Sequence, residues 1–110
     1  MARVPDRGDI VWLSLDPTLG HEQAGRRPVL VLSPALYNGR AGLAVVCPIT
    51  SRSKGYPFEV ALPRDLSVTG VALADHLRSV DWRERRAELA CLAPAELVED
   101  ILARSRALLS

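Results

Sequence analysis

The first two-thirds of the chain is a series of short apolar runs, each cut off within about six residues by Gly, Pro, Asn or a polar cluster. Runs of this length suit strands, and they are too short for an amphipathic helix of three turns. Ile10-Val11-Trp12-Leu13-Ser14-Leu15 ends at the turn Asp16-Pro17-Thr18-Leu19-Gly20, and Pro28 to Ser33 is a second, β-branched run. Leu43 to Cys47, Phe58 to Leu62, Val71 to Ala74, Leu77 to Val80 and Ala87 to Leu92 continue the series. Ser33-Pro34-Ala35-Leu36-Tyr37 predicts a cap, a proline at the first helical position and one short turn, which Asn38-Gly39 breaks. A polar loop is expected from Pro48 to Gly55, and a single turn capped by Asp81 over residues 81–84.

The end of the chain has a different period. Pro94 can open a helix running through Leu109, with Glu96, Glu99 and Asp100 early and Arg104 and Arg106 late, the order that complements a helix dipole. Leu97, Ile101, Ser105 and Leu108 recur at spacings of three to four, with Ser105 the polar break in the row. Many short strands followed by one terminal helix predict a mainly β fold, a small antiparallel barrel with a helix packed on it. No repeat or linker interrupts residues 1–110, so one domain is expected. A domain this small buries a modest share of its surface, so an exposed apolar face would suggest a partner or a dimer.

Composition narrows the function classes. At 48% hydrophobic and 25% charged the chain reads as an ordinary soluble globular protein, with no run of 18 apolar residues and no apolar stretch behind the first charges. Cys47 and Cys91 lie far apart in apolar strings without metal-type spacing, which predicts two reduced core residues. These features fit a cytoplasmic protein off the membrane. The net charge of +1 says little, but residues 20–56 carry five bases against the single acid Glu22, leaving the remainder at −3. Thirteen of the 14 basic residues are arginine, whose planar fork suits phosphate.

No zinc cluster, phosphate-cradling glycine loop or serine–histidine–acid order is present in the sequence. The reactive side chains concentrate in His21-Glu22-Gln23-Ala24-Gly25-Arg26-Arg27-Pro28 and in Thr50-Ser51-Arg52-Ser53-Lys54-Gly55-Tyr56. Glu22 could simply pair with an arginine, Arg27 could be a surface residue, and Thr50 could cap a turn. His21 and His76 invite a two-histidine acid–base pair, but no spacing brings them together, and Asp75 reads as a turn residue. Trp12 and Trp82 could stack on bases, although burial is the commoner fate.

Three blocks in register carry a resemblance. Gly8-Asp9-Ile10-Val11-Trp12, Asp16-Pro17-Thr18, Glu22 to Pro28 and Val31-Leu32-Ser33-Pro34 resemble the first half of MazF/PemK toxins. Pro48-Ile49-Thr50-Ser51 with Lys54 to Val60 resembles their central block, and Gly70 to Asp75 with Arg78 to Trp82 resembles the third. The resemblance implies an SH3-like barrel in a homodimer, a cytoplasmic toxin that cleaves single-stranded mRNA without a metal or other cofactor, and a cognate MazE-like antitoxin that blocks the site. It places Arg27 and Thr50 as the main catalytic pair and Glu22 as an acidic residue with a supporting or base role. Gln23, Arg26, Ser51, Ser53, Lys54 and Arg78 are the expected RNA contacts. The pattern departs at His76, where glutamine is expected, and at the variable position Arg26, which bears on RNA sequence preference.

The chemistry stands beside the resemblance. RNA carries its own nucleophile in the 2′-hydroxyl, so cleavage needs a proton acceptor near it, cationic donors for the phosphorane and a proton source for the leaving 5′ oxygen. Glu22 suits the acceptor, and Arg27 and Thr50 suit the donors. Arg27 would also have to serve as acid, directly or through water, and arginine is a poor proton donor. Two other readings compete. One is a CcdB-like poison that grips a topoisomerase through its terminal helix and needs no Glu22, Arg27 and Thr50 set. The other is a non-enzymatic RNA-binding module with Arg26, Arg52, Lys54 and Arg78 on phosphates.

Overall fold

The computed structural model describes residues 3–14 and 25–110. Seven strands and two helices follow in the order β1 Asp9–Ser14, β2 Arg26–Val31, α1 Ala35–Ala41, β3 Leu43–Thr50, β4 Glu59–Ala61, β5 Val71–Leu73, β6 Arg78–Asp81, β7 Glu88–Leu92 and α2 Ala95–Ala107. Each predicted run became a strand, with bounds shifted by a few residues. All the pairings are antiparallel, along the path β4-β5-β3-β2-β1-β7, with β6 also pairing β3. This is the predicted mainly β, barrel-like architecture, although the hydrogen-bonded path has two ends, at β4 and β7.

Alternation along each strand sends side chains to two apolar clusters. Ile10, Leu30, Cys47 and Ile49 share one with Val60, Ala72 and the α2 residues Leu97, Val98, Ile101 and Leu102. Val11, Leu13, Val29, Val31, Ala44, Val46, Val80 and Trp82 form the other. Both cysteines are free thiols. Burial pushes the Cys47 thiol up to about 12, against a smaller lowering by the Leu30 backbone, so it behaves as a small hydrophobe. Ser105, the polar break in the α2 stripe, is buried and donates to the Ala74 carbonyl at 2.8 Å. Leu108 and Leu109, expected to extend that stripe, are exposed beyond the end of the helix.

Two expectations need correcting. The first helix does not break at Asn38-Gly39 but runs to Ala41 and closes on Gly42, whose φ of 71° is left-handed. Tertiary bonds override the turn preference of Asn38, which is fully buried. Its amide donates to the Pro5 and Ser33 carbonyls at 2.8 and 2.9 Å, and its Oδ1 accepts from the Ser33 hydroxyl at 2.6 Å. Its backbone carbonyl accepts from the indole of Trp82, 2.9 Å away. Ser33 therefore does not cap the helix, and the amide of Ala35 is satisfied by Asp6 instead. Removing the Asn38 amide strands three buried partners at roughly 1 kcal/mol or more each, partly relieved by water. Asn38→Ala is expected to lower stability by about 2 kcal/mol in urea unfolding with an unchanged m-value.

The second correction concerns Pro48, expected to begin a loop and found inside β3. Leu32 N–H donates to the Val45 carbonyl, so odd-numbered residues of β3 turn their backbone toward β2. Pro48 therefore turns its missing donor toward the other edge, in the interval between β6, which pairs through Val46, and β5, which starts at Ile49. The β2–β3 ladder ends at the Val29–Pro48 pair. Beyond it β2 remains paired with β1 (Arg27 opposite Leu13) and β3 with β5 (Thr50 opposite Val71). The two strands part there, and the site lies in the gap.

Candidate active site

Period-two alternation decides which functional side chains meet. Arg27 lies two residues from the buried Val29, Thr50 lies two from Pro48 and four from Val46, and Arg78 lies two from Val80. All three therefore fall on the sheet face of the second apolar cluster, where it runs out into a cleft of about 980 Å³. Trp12, Leu13 and Val46 form apolar lining, and Ser51, Arg52, His76 and Arg85 complete the polar lining. Among the described lining residues the ionisable groups are four arginines and one histidine, with no carboxylate. Such a cleft concentrates positive potential and favours a polyanion.

Arg27 is exposed, and among the described residues its guanidinium has no hydrogen-bond or ion-pair partner, so its fork is available to a ligand. The Thr50 hydroxyl accepts from the Arg52 amide at 3.2 Å, and its own proton is left to donate. Gly70 presses on the Thr50 backbone from the next loop: a Cβ there would lie 2.2 Å from the Thr50 carbonyl oxygen. Trp82 is buried as expected, whereas Trp12 is half-buried and lines the cleft.

The other expected RNA contacts divide. Ser51 and Arg78 line the cleft. Arg26, of opposite parity to Arg27, does not. It reaches the Ser14 hydroxyl at 3.1 Å and the Trp12 and Arg86 carbonyls at 3.3 and 2.9 Å, with Glu88 3.5 Å away. Its guanidinium ties β1 to the turn before β7. Ser53 and Lys54 lie in the adjoining loop outside the cleft lining. Glu22 and Gln23, with His21, lie outside the described residues. His76 and Arg85 are lining residues that sequence reasoning set aside or missed. No local signal marks Arg85, which joins the cleft because its backbone carbonyl accepts from the Ser14 amide and its guanidinium bonds the Ser14 carbonyl at 3.1 Å.

The loop after Thr50 holds an anion of its own. Glu59 accepts from the Ser53 hydroxyl at 2.8 Å and from the Lys54 and Gly55 amides at 2.9 and 3.0 Å. The Lys54 amide and the Ser53 hydroxyl, ahead of lesser contributions, hold the carboxyl below its usual range. A lowered value in the folded state means the cradle contributes fully above the ordinary carboxylate range and is lost as pH falls through the lowered one. Glu59→Gln is expected to speed amide exchange at Lys54 and Gly55 at neutral pH, because the carboxylate that accepts from both amides is gone. Equal exchange rates would show that the carboxylate does not order this loop.

This geometry agrees with a family model for the PemK-like, MazF-like toxin of type II toxin–antitoxin systems, which matches residues 6–109. The chain belongs to that family. It is 52% identical over 98 residues to the endoribonuclease toxin MazF of Escherichia coli K12, covering 86% of this chain and 85% of that one. It is 38% identical over 111 residues to the E. coli endoribonuclease PemK, covering 96% of this chain and 82% of the other. A crystal structure of MazE–MazF from Deinococcus radiodurans superposes with a TM-score of 0.89 at 53% identity, over 99% of this chain and 98% of that one. MazF alone from the same organism gives 0.88 at 58% identity, over 98% of each chain. The family assignment accounts for the blocks in register, and it favours the RNA-cleaving reading over the topoisomerase-binding one.

Proposed function

We propose that this MazF-family chain is a sequence-specific endoribonuclease toxin that cuts single-stranded mRNA, arrests translation and growth, and is neutralised by a MazE-like antitoxin. The observation that carries this reading is the arginine-lined cleft, without a carboxylate among its described lining residues, in which Arg27, without a partner among the described residues, and the Thr50 hydroxyl flank the parting of β2 and β3. The names of its relatives give the same reaction class. The 2′-hydroxyl attacks the adjacent phosphorus, with Glu22 taking its proton, and the fork of Arg27 and the hydroxyl of Thr50 stabilise the charged oxygens. Ser51 and Arg78 contact the strand from the cleft, Ser53, Lys54 and Gln23 are further proposed contacts, and Arg26, tied back onto Ser14, Trp12 and Arg86, holds the framework instead. The products are a 2′,3′-cyclic phosphate and a 5′-hydroxyl. Because RNA supplies the nucleophile, the reaction needs no metal to generate one.

The antitoxin is proposed to compete with RNA for the same cationic cleft, which suits an acidic peptide. Exposed apolar side chains, Leu36, Tyr37 and Leu92 among them, provide surface for the proposed homodimer. A cytoplasmic location is part of the proposal, and among the described residues no helix is long and apolar enough to cross a membrane. The test is incubation of purified protein with a long single-stranded RNA in EDTA, followed by mapping of the new 5′ ends. Discrete cuts with 5′-hydroxyl ends support the reading. Intact RNA at high protein concentration overturns it.

A further inference from the structure

We propose that Glu59 is a positioning residue for the RNA strand: its carboxylate fixes the turn Ser53-Lys54-Gly55 beside the cleft, so that the Lys54 ammonium meets a substrate phosphate. The proposal rests on the RNA-cleaving reading above, in which Lys54 is a contact and Glu59 has no part.

An acid here works against RNA unless its charge is engaged. The cleft has no carboxylate among its described lining residues, and Ser51 and Arg52 of that lining lead directly into the turn. A bare carboxylate beside the path of a polyanion repels it over roughly 10 Å at ordinary salt. Glu59 is instead committed to the protein on every side. It opens β4, whose pairing with β5 fixes its backbone, and Arg104 of α2 supports the same corner by donating to the Pro57 carbonyl. Its amide donates to the Tyr56 carbonyl at 3.1 Å, which closes the loop on the start of the strand.

From this anchored base the side chain reaches back to the turn. Both of its oxygens accept from the Lys54 amide, at 3.2 and 2.9 Å, and one also takes the Ser53 hydroxyl and the Gly55 amide. Gly55 has a left-handed φ of 76°, the kind of turn in which successive amides converge on one anion. Residues 51–57 are all exposed, so no buried side chain pins them. Among the described residues, the hydrogen bonds of residues 53–55 all run to Glu59. The carboxylate engages the Lys54 amide and leaves the ammonium, which has no partner among the described residues. A lysine held at its backbone with its charge unneutralised is pre-organised for a phosphate, because less ordering remains to be done on binding.

A bare charge and a positioning group predict opposite signs. As a bare charge, Glu59 would be a repulsion, so Glu59→Gln would tighten RNA binding and steepen its salt dependence. As a positioning group, its loss loosens binding and flattens that dependence. The test reads fluorescence anisotropy of a labelled single-stranded RNA with the full chain, between about 0.05 and 0.3 M salt. A 2′-deoxy residue at the mapped cut removes the nucleophile and keeps the strand whole. At about 0.1 M salt Glu59→Gln is expected to bind about fivefold more weakly, with a log–log salt slope shallower by about 0.7, the worth of one phosphate contact on a single strand. Lys54→Ala is expected to show both changes, and the double variant to add nothing to either single one. Gly55→Ala keeps every charge and strains the turn, with no atom within 4 Å of the added Cβ, and is expected to weaken binding in the same direction. In cleavage of the all-ribose strand Glu59→Gln should raise KM while kcat changes by no more than about twofold, the mark of lost uniform binding. Unchanged or tighter binding by Glu59→Gln, or losses that add in the double variant, overturns the proposal. If the unchanged chain leaves RNA whole, the ribonuclease reading falls, and anisotropy on the intact strand still decides on Glu59.

Discussion

Arg27→Ala is expected to slow RNA cleavage by about 10²–10³-fold, the usual loss when one preorganised donor to a developing oxyanion is removed. The effect should fall on the chemical step. Three other arginines still line the cleft, so the strand continues to be attracted when this one is gone. Stability should change by no more than about 0.5 kcal/mol, because the side chain is exposed and has no partner among the described residues. Arg27→Lys separates charge from shape: it keeps the cation but loses the planar fork, and an intermediate rate is expected. Single-turnover cleavage beside a thermal melt measures both quantities. Full cleavage by Arg27→Ala with discrete 5′-hydroxyl ends would take Arg27 out of the site while leaving the reaction in place.

Gly70→Ala is expected to cost about 4 kcal/mol and to abolish cleavage in whatever fraction stays folded. Two strains add at this residue. Its φ of 124° lies in the left-handed region that side chains rarely adopt, worth about 1–3 kcal/mol. A Cβ would also sit 2.2 Å from the Thr50 carbonyl oxygen and 2.9 Å from its carbon. Both are backbone atoms, so no rotamer change relieves the clash, and overpacking of this kind costs about 1–3 kcal/mol. The Gly70 carbonyl also accepts from the Leu62 amide, so moving the loop away would break that bond. Relief must therefore come from displacing Thr50 and the start of its pairing with Val71. Urea unfolding reads the first effect and RNA cleavage the second. A variant that folds with unchanged midpoint and cuts normally would mean that Gly70 does not set the position of Thr50.

The correct and incorrect parts of the sequence reading separate by range. The strands, the terminal helix and the Asp81 cap, whose carboxylate accepts from the Arg83 and Glu84 amides, all rest on local patterns and all appear. The reading failed where a distant partner outbid a local preference. Asn38-Gly39 is a turn dipeptide by itself, yet Pro5, Ser33 and Trp82 hold Asn38 inside a helix. Pro48 ends a strand by itself, yet its missing donor faces the interval between two partner strands. Arg26 and Arg27 are neighbours in a basic run, and neither composition nor charge distinguishes them. Strand parity does, turning Arg27 to the cleft and Arg26 back onto Ser14, Trp12 and Arg86.

By itself the amino-acid sequence determined where strands and helices form among the described residues, which residues of each strand share a face, and, through the blocks in register, the family. Those properties depend on spacing along one strand or on motifs read in order. Only the tertiary structure decided that β3 would be the shared partner of β2, β5 and β6, and that the β2–β3 ladder would stop at Val29 and Pro48. It likewise decided that His76 and Arg85 would face the gap so formed. Pairing partners are chosen by burial summed over the whole sheet, and no single run of residues carries that sum.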